Sequence, residues 1–157
     1  MLAIVLARKN WRESDQMVSL YTHELGKIEL LAKGLKKIIS KNSSNLGVLS
    51  LVEIEIAKGK EVGRLTKVQS AKFFKNIYSD LDKIYLAGYI IKIANDNLMT
   101  NQPDEKIFKL LLSFLEFLND ASEINALNLI TGFIFKFWHC LGFGLQDDKY
   151  NNWLIEN

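Results

Sequence analysis

Cysteine, histidine and proline are nearly absent from this chain of 157 residues, which holds one Cys, two His and one Pro. The lone Cys140 cannot close an intrachain disulfide, and no charged, apolar, then small-residue pattern over Met1 to Asn10 marks an export signal. A reducing, cytoplasmic setting is therefore expected. His139 and Cys140 are adjacent and His23 is remote, so the four spaced ligands of a structural zinc site are missing and no metal is expected. So little proline, with nine glycines, excludes a collagenous or Pro-rich disordered chain. The longest apolar runs, near 107–118 and 127–138, are broken by Lys109, Glu116, Asn128 and Lys136. They fall short of the roughly 18 apolar residues a membrane span needs, so no membrane partner is expected. Signatures such as HExxH, GxSxG and the Walker glycine loop are missing as well, so neither an enzyme nor a bound cofactor is expected.

What the chain does have is a charge split. Residues 1–75 carry 14 Lys or Arg against 7 Asp or Glu, whereas 76–157 carry 6 against 11, so a small net charge of +2 hides a basic half beside an acidic one. Positive charge gathered on one module is the footprint of a polyanion-binding surface, and an acidic layer repels phosphates. The plainer alternative is that the basic residues only keep a sheet soluble.

Hydrophobic period divides the chain at the same place. Leu2 to Ala7 is a short apolar run that leads into a loop carrying Arg8, Lys9 and Arg12, and Gln16 to Thr22 is a second strand candidate. After the turn His23-Glu24-Leu25-Gly26, the segment Lys27 to Gly34 alternates Ile28, Leu30 and Ala32 with Lys27, Glu29 and Lys33, as a half-solvated strand does. A polar, basic connection over Leu35 to Gly47 precedes strands at Val48 to Lys58 and Val62 to Ser70, joined by a hairpin at Lys58-Gly59-Lys60-Glu61. Five short strands with a long connection after the third predict a small Greek-key barrel of the OB type.

From Ser79 the period becomes about 3.6. Leu81, Ile84, Tyr85, Gly88, Ile91 and Leu98 recur on one face of a first helix, with Ser79 and Asp82 as a capping box. A second helix is expected from Pro103 to about Asn119 on Ile107, Leu111, Phe114, Leu115 and Leu118. A third is expected after Ser122, with Ile124, Leu127, Ile130, Phe133, Ile134, Phe137, Trp138 and Leu141. The expected fold is α+β in two parts: residues 1–75 an OB-fold nucleic-acid-binding domain, and residues 76–157 all helical.

The order of signals at the N-terminus is more specific than a generic barrel. Val5-Leu6, Trp11-Arg12-Glu13-Ser14-Asp15, Tyr21-Thr22-His23-Glu24-Leu25-Gly26-Lys27 and Ala32-Lys33-Gly34-Leu35-Lys36-Lys37 with Ser40 follow one another as in the N-terminal domain of the RecO family of bacterial recombination mediators, which this sequence resembles. Lys83-Ile84-Tyr85-Leu86-Ala87 looks like the start of that family's first long helix. The resemblance implies an OB-fold, a helical domain and a role in DNA repair and recombination. It further implies binding of single- and double-stranded DNA, strand annealing, recombinase loading, a RecR-like partner, and docking of the acidic C-terminal tail of the single-strand DNA-binding protein. Leu141-Gly142-Phe143-Gly144-Leu145 looks like the point where many relatives enter a cysteine-rich zinc module, yet no Cys or His follows it here. A short form lacking that module is expected.

Arg8, Lys9, Trp11, Arg12, Lys33, Lys36, Lys37 and Lys41 are the candidate DNA-binding residues. Single-strand binding by such barrels needs cations that track the backbone and aromatic faces on which bases stack, and Trp11 and Tyr21 are the nearest aromatics. Trp11 serves equally well as a rim residue covering the barrel bottom, and the lysines as a solvated loop. Glu13 and Asp15 read as turn residues that pair with Arg12 rather than as an acid and base. The stripe Phe133, Phe137, Trp138 and Leu141 reads mainly as core, with a peptide groove flanked by Lys109 and Lys136 as the alternative. Other destinations for the whole chain are an OB-fold scaffold for proteins and an RNA-binding OB protein.

Overall fold

The computed structural model describes residues 1–33, 46–57, 59 and 63–144. Five strands come first: β1 (Leu2–Asn10), β2 (Gln16–Thr22), β3 (Gly26–Ala32), β4 (Leu51–Ala57) and β5 (Arg64–Lys72). They close in the order β1-β2-β3-β5-β4, with β3 and β5 meeting in parallel at Leu31 and Arg64 and the other neighbours antiparallel. This is the expected OB-type barrel, followed by helices α1 (Lys75–Tyr78), α2 (Leu81–Asn97), α3 (Glu105–Asp120) and α4 (Ala126–Cys140).

Alternation of side chains builds two cores. Ala3, Val5, Val18, Leu20, Ile28, Leu30, Val52, Ile54, Leu65 and Val68 fill the barrel. The residues between them on β1 and β2, Ile4, Leu6 and Tyr21, point outward into a second core made with the helices. Strand β1 is thus buried on both faces, which explains its unbroken apolar run. A bulge between Val5 and Ala7 then shifts its register against β2, so the strand continues to Asn10 rather than ending at Ala7. Arg8 and Lys9 accordingly sit in a strand and not in the expected loop.

The helix ends differ from the sequence expectation, because a short helix intervenes. Ser79 closes α1, its hydroxyl donating to the Lys75 carbonyl at 3.0 Å. Asp80 caps α2 instead, accepting from the Asp82 and Lys83 amides at 2.9 and 3.1 Å. Likewise Asp104 rather than Pro103 starts α3, accepting from Lys106 N and Ile107 N, and Asn125 starts α4. The buried face of α2 also differs: Lys83, Leu86, Ala87, Ile90, Ile91 and Ala94 face inward, while Leu81 and Tyr85 are exposed. Apolar residues surround this helix, so its period alone cannot select a face; α1, α3 and β1 do.

Several polar ties join barrel and helices. Ser19 Oγ donates to Asn95 Oδ1 at 2.6 Å, and the Lys27 amine donates to the Asn95 and Leu98 carbonyls at the C-terminal end of α2, where a cation suits the helix dipole. The buried Tyr21 hydroxyl donates to the Asp104 carbonyl at 3.3 Å and accepts from the Asp104 amide at 3.2 Å. Lys83, also buried, donates to the Ala121 carbonyl at the end of α3 at 2.5 Å. Gly26 has φ +69°, and a Cβ there would stand 2.1 Å from the Gln102 carbonyl oxygen.

Two outcomes follow for stability. Gly26→Ala should cost more than about 2 kcal/mol, since both the left-handed backbone and a clash with main chain oppose it; its denaturant midpoint should fall well below that of a surface Gly→Ala control. Burial pushes the Tyr21 phenol up to about 12, with the hydrogen bond to Asp104 acting in the opposite sense. Between the unfolded value near ~10 and this folded value the unfolded chain loses a proton that the folded one keeps, so stability falls as pH rises through that window. Tyr21→Phe should flatten that fall by up to about 2 kcal/mol, read from denaturant titrations across alkaline pH.

Candidate nucleic-acid interface

Strand register sets the composition of one barrel rim. Asn10 pairs with Gln16 and Gln16 with Ala32; Leu31 meets Arg64, which pairs with Ala57. The β1–β2 turn thus lies beside the end of β3, and the end of β3 lies beside the start of β5. Trp11, Arg12 and Lys33 are exposed there, with Trp11 59% accessible, and Lys9 is exposed on the outer face of β1. Arg64 joins them, a residue that the sequence reading missed because only the parallel β3–β5 contact brings it beside the end of β3. Lys36, Lys37 and Lys41 lie outside the described residues.

Arg8 occupies a different position from its neighbours. Its Nε and Nη2 donate to Gln16 Oε1 at 2.9 and 2.7 Å, and Nη1 donates to the Leu46 carbonyl at 2.9 Å. Gln16 in turn donates to Asn10 Oδ1 at 3.1 Å. A planar fork thus staples β1, β2 and the segment entering β4 across the barrel mouth. Burial lowers the pKa of this guanidinium, with the neighbouring Tyr78 acting in the opposite sense. Lys9, one residue on, points the other way and lines a small cleft with Ala7, Met17, Ser19, Glu29 and Asn95.

Tyr21 is not available for stacking. It is fully buried, its ring lies against Phe108 at 6.5 Å, and its hydroxyl is tied to Asp104. As an outward-facing residue of a strand covered by helices, it fills the second core instead. On β5, Lys67 pairs with Glu55 at 2.9 Å and Lys72 with Glu116 at 2.7 Å. The outer face of β4 presents Glu53 and Glu55, so the barrel is not uniformly cationic.

Glu13 and Asp15 form part of the β1–β2 turn, in which the Asp15 carbonyl accepts from Trp11 N at 3.1 Å and Arg12 N at 3.4 Å. Burial pushes the Cys140 thiol up, away from a reactive thiolate. His139 and Cys140 project about 100° apart on their helix and do not fit a zinc set; among the described residues no group of three His, Cys, Asp or Glu gathers as a metal site. In α4 Phe133 and Phe137 are core, stacked at 5.7 Å, but Trp138 and Leu127 face outward, because α4 packs on its neighbours along one side only. No helix among the described residues is long and apolar enough to cross a membrane.

A closed five-strand barrel of this order, with a helical layer against β1 and β2, defines an OB-fold protein with a helical extension. The chain belongs to the RecO family. Residues 1–74 match the family model described as Recombination protein O N terminal, and residues 78–149 match Recombination protein O C terminal. A DNA repair protein RecO of Geobacter metallireducens is 30% identical over 153 residues, covering 92% of this chain and 62% of the relative. Those of Dehalococcoides mccartyi and Nostoc punctiforme are 33% and 29% identical, with 48% and 43% of each relative covered. The chain thus spans about half the length of these relatives.

The two adjacent cations of β1 should separate in their effects on stability. Arg8→Ala removes three hydrogen bonds made by a charged group and should cost about 2 kcal/mol. Lys9→Ala should stay within about 0.5 kcal/mol of wild type, both read by urea unfolding.

Proposed function

We propose that this chain is a DNA-binding recombination mediator that works in repair without covalent chemistry of its own. The observation that carries the reading is the approach of Trp11, Arg12, Lys33 and Arg64, brought together by the β1–β2–β3–β5 ladder, in an OB-type barrel of a member of the RecO family. Lys9, Arg12, Lys33 and Arg64, with Lys36, Lys37 and Lys41 of the connection, take the phosphates; Arg8 holds the mouth together and adds its charge to the local field. Trp11 offers a stacking face. Neutralising two strands on one surface lowers their mutual repulsion and lets them pair, which is annealing by electrostatics. Residues 1–75 carry this work. Residues 76–157, whose acidic balance repels phosphates, tie the complex to proteins: a RecR-like partner and the tail of the single-strand DNA-binding protein, so that recombinase is loaded where the DNA is held.

A salt series tests this reading. Removing Lys36 and Lys37 together, or Lys33 and Arg64 together, should reduce the magnitude of the log-affinity against log-salt slope by about 1.5 on single strands and weaken all sequences alike. Trp11→Ala should weaken single-strand binding with little change in slope. Binding by wild type that does not respond to salt would reject the phosphate-contact mechanism.

A further inference from the structure

Two aromatic rings outside the barrel mouth are stacked on each other and yet open to water. Phe73 and Tyr78 lie with centroids 4.8 Å apart and planes inclined by 21°. Phe73 is 55% exposed and Tyr78 38%. A pair of this size is ordinarily driven into a core, and Phe74, next in sequence, is fully buried. Tyr78 is fixed from behind: its hydroxyl donates to the Val48 carbonyl, and its oxygen stands 3.1 Å from where a Cβ on Gly47 would be. Phe73 therefore rests on an immobilised ring, with its other face toward solvent.

The position of this pair follows from the chain around it. Residues 46–48 join it to the mouth, since the Leu46 carbonyl accepts from Arg8 and the Val48 carbonyl accepts from Tyr78. Contacts thus run from Arg8 through the backbone of 46–48, where Leu46 itself is buried, to Tyr78 and the Phe73 ring stacked on it. Lys72 and Lys75 flank Phe73 and are both exposed, Lys72 in an ion pair with Glu116. The nearest acids along the chain, Asp80 and Asp82, stand at the start of α2, where Asp80 is occupied as its cap.

We propose that Phe73, backed by Tyr78, is a base-stacking station for single-stranded nucleic acid, reached by a strand that leaves the cationic mouth past Arg8. The proposal rests on the nucleic-acid reading of that mouth and deepens it by naming a second aromatic contact away from Trp11. Every base has a π face, so a flat exposed ring takes a single strand regardless of sequence, whereas a duplex keeps its bases inside and gains nothing from it.

The test uses three probes on the full chain: an oligothymidine, an abasic strand of the same length and charge, and a duplex. Phe73→Leu, which keeps apolar bulk but removes the π face, should weaken oligothymidine binding by roughly 5- to 150-fold and leave the abasic strand, the duplex and the salt slope as in wild type. Phe73→Trp should bind oligothymidine at least as tightly as wild type, and it carries the test if the leucine variant loses its cooperative thermal transition. Equal weakening on the abasic and thymidine strands, an unaltered affinity of Phe73→Leu for oligothymidine, or weakened binding by Phe73→Trp would overturn the station. If Lys33→Glu with Arg64→Glu weakens all three probes while Phe73→Leu weakens none, the mouth stands and only the station falls. If wild type binds no probe, both fall together.

Discussion

Everything in this molecule depends on β1 being buried on both of its faces. Ala3 and Val5 point into the barrel, and Ile4 and Leu6 into the helical core. A strand at the surface of a small barrel normally solvates alternate residues. Here that option is closed, because Leu86, Ile90, Phe108 and Leu111 of the helices share the core that Ile4 and Leu6 enter. Barrel and helices accordingly cannot be separated without exposing apolar surface on both, and the exposed Lys72–Glu116 pair between β5 and α3 adds little to that packing.

The bulge after Val5 turns that constraint into a site. It releases β1 from the pairing that serves both cores and lets the strand run on to Asn10, so that Arg8 turns across the mouth while Lys9 turns to the outer face. Meanwhile the polar ties, Tyr21 to Asp104 and Lys27 to the end of α2, sit toward the β2–β3 turn. The helices and the loop before α3 crowd that end of the barrel, where Gly26 leaves no room for a side chain against Gln102. The opposite mouth, with Trp11, Arg12, Lys33 and Arg64, is left uncovered.

Cations spend their charge differently in the two places. Lys27 and Lys83 direct their amines to carbonyls at helix C-termini, and Lys67 and Lys72 to carboxylates, so these contribute local order and little outward field. At the mouth Lys33 and Arg64 add their charge beside Arg8, whereas the outer face of β4 presents Glu53 and Glu55. Such grouping focuses potential on one end of the barrel, which a count over residues 1–75 cannot reveal.

The sequence by itself determined the barrel, its strand count, the switch to helices and the family, because period two and period 3.6 are local properties and the motif from Val5 to Lys37 is contiguous. It also put Trp11 and Arg12 in one turn between β1 and β2, while the β2–β3 pairing of Gln16 with Ala32 brings Lys33 beside them. Contacts between distant segments were beyond it. Period could not choose a face for α2, whose apolar residues run all the way round, nor tell that Tyr21 turns outward into a second core. Arg64 reaches the mouth through a parallel pairing over more than thirty intervening residues, and Phe73 finds Tyr78 only because Val48 anchors the second ring. Tertiary structure alone decided these, because a residue's exposure is set by what packs over it, and nothing in its own neighbourhood of the chain encodes that.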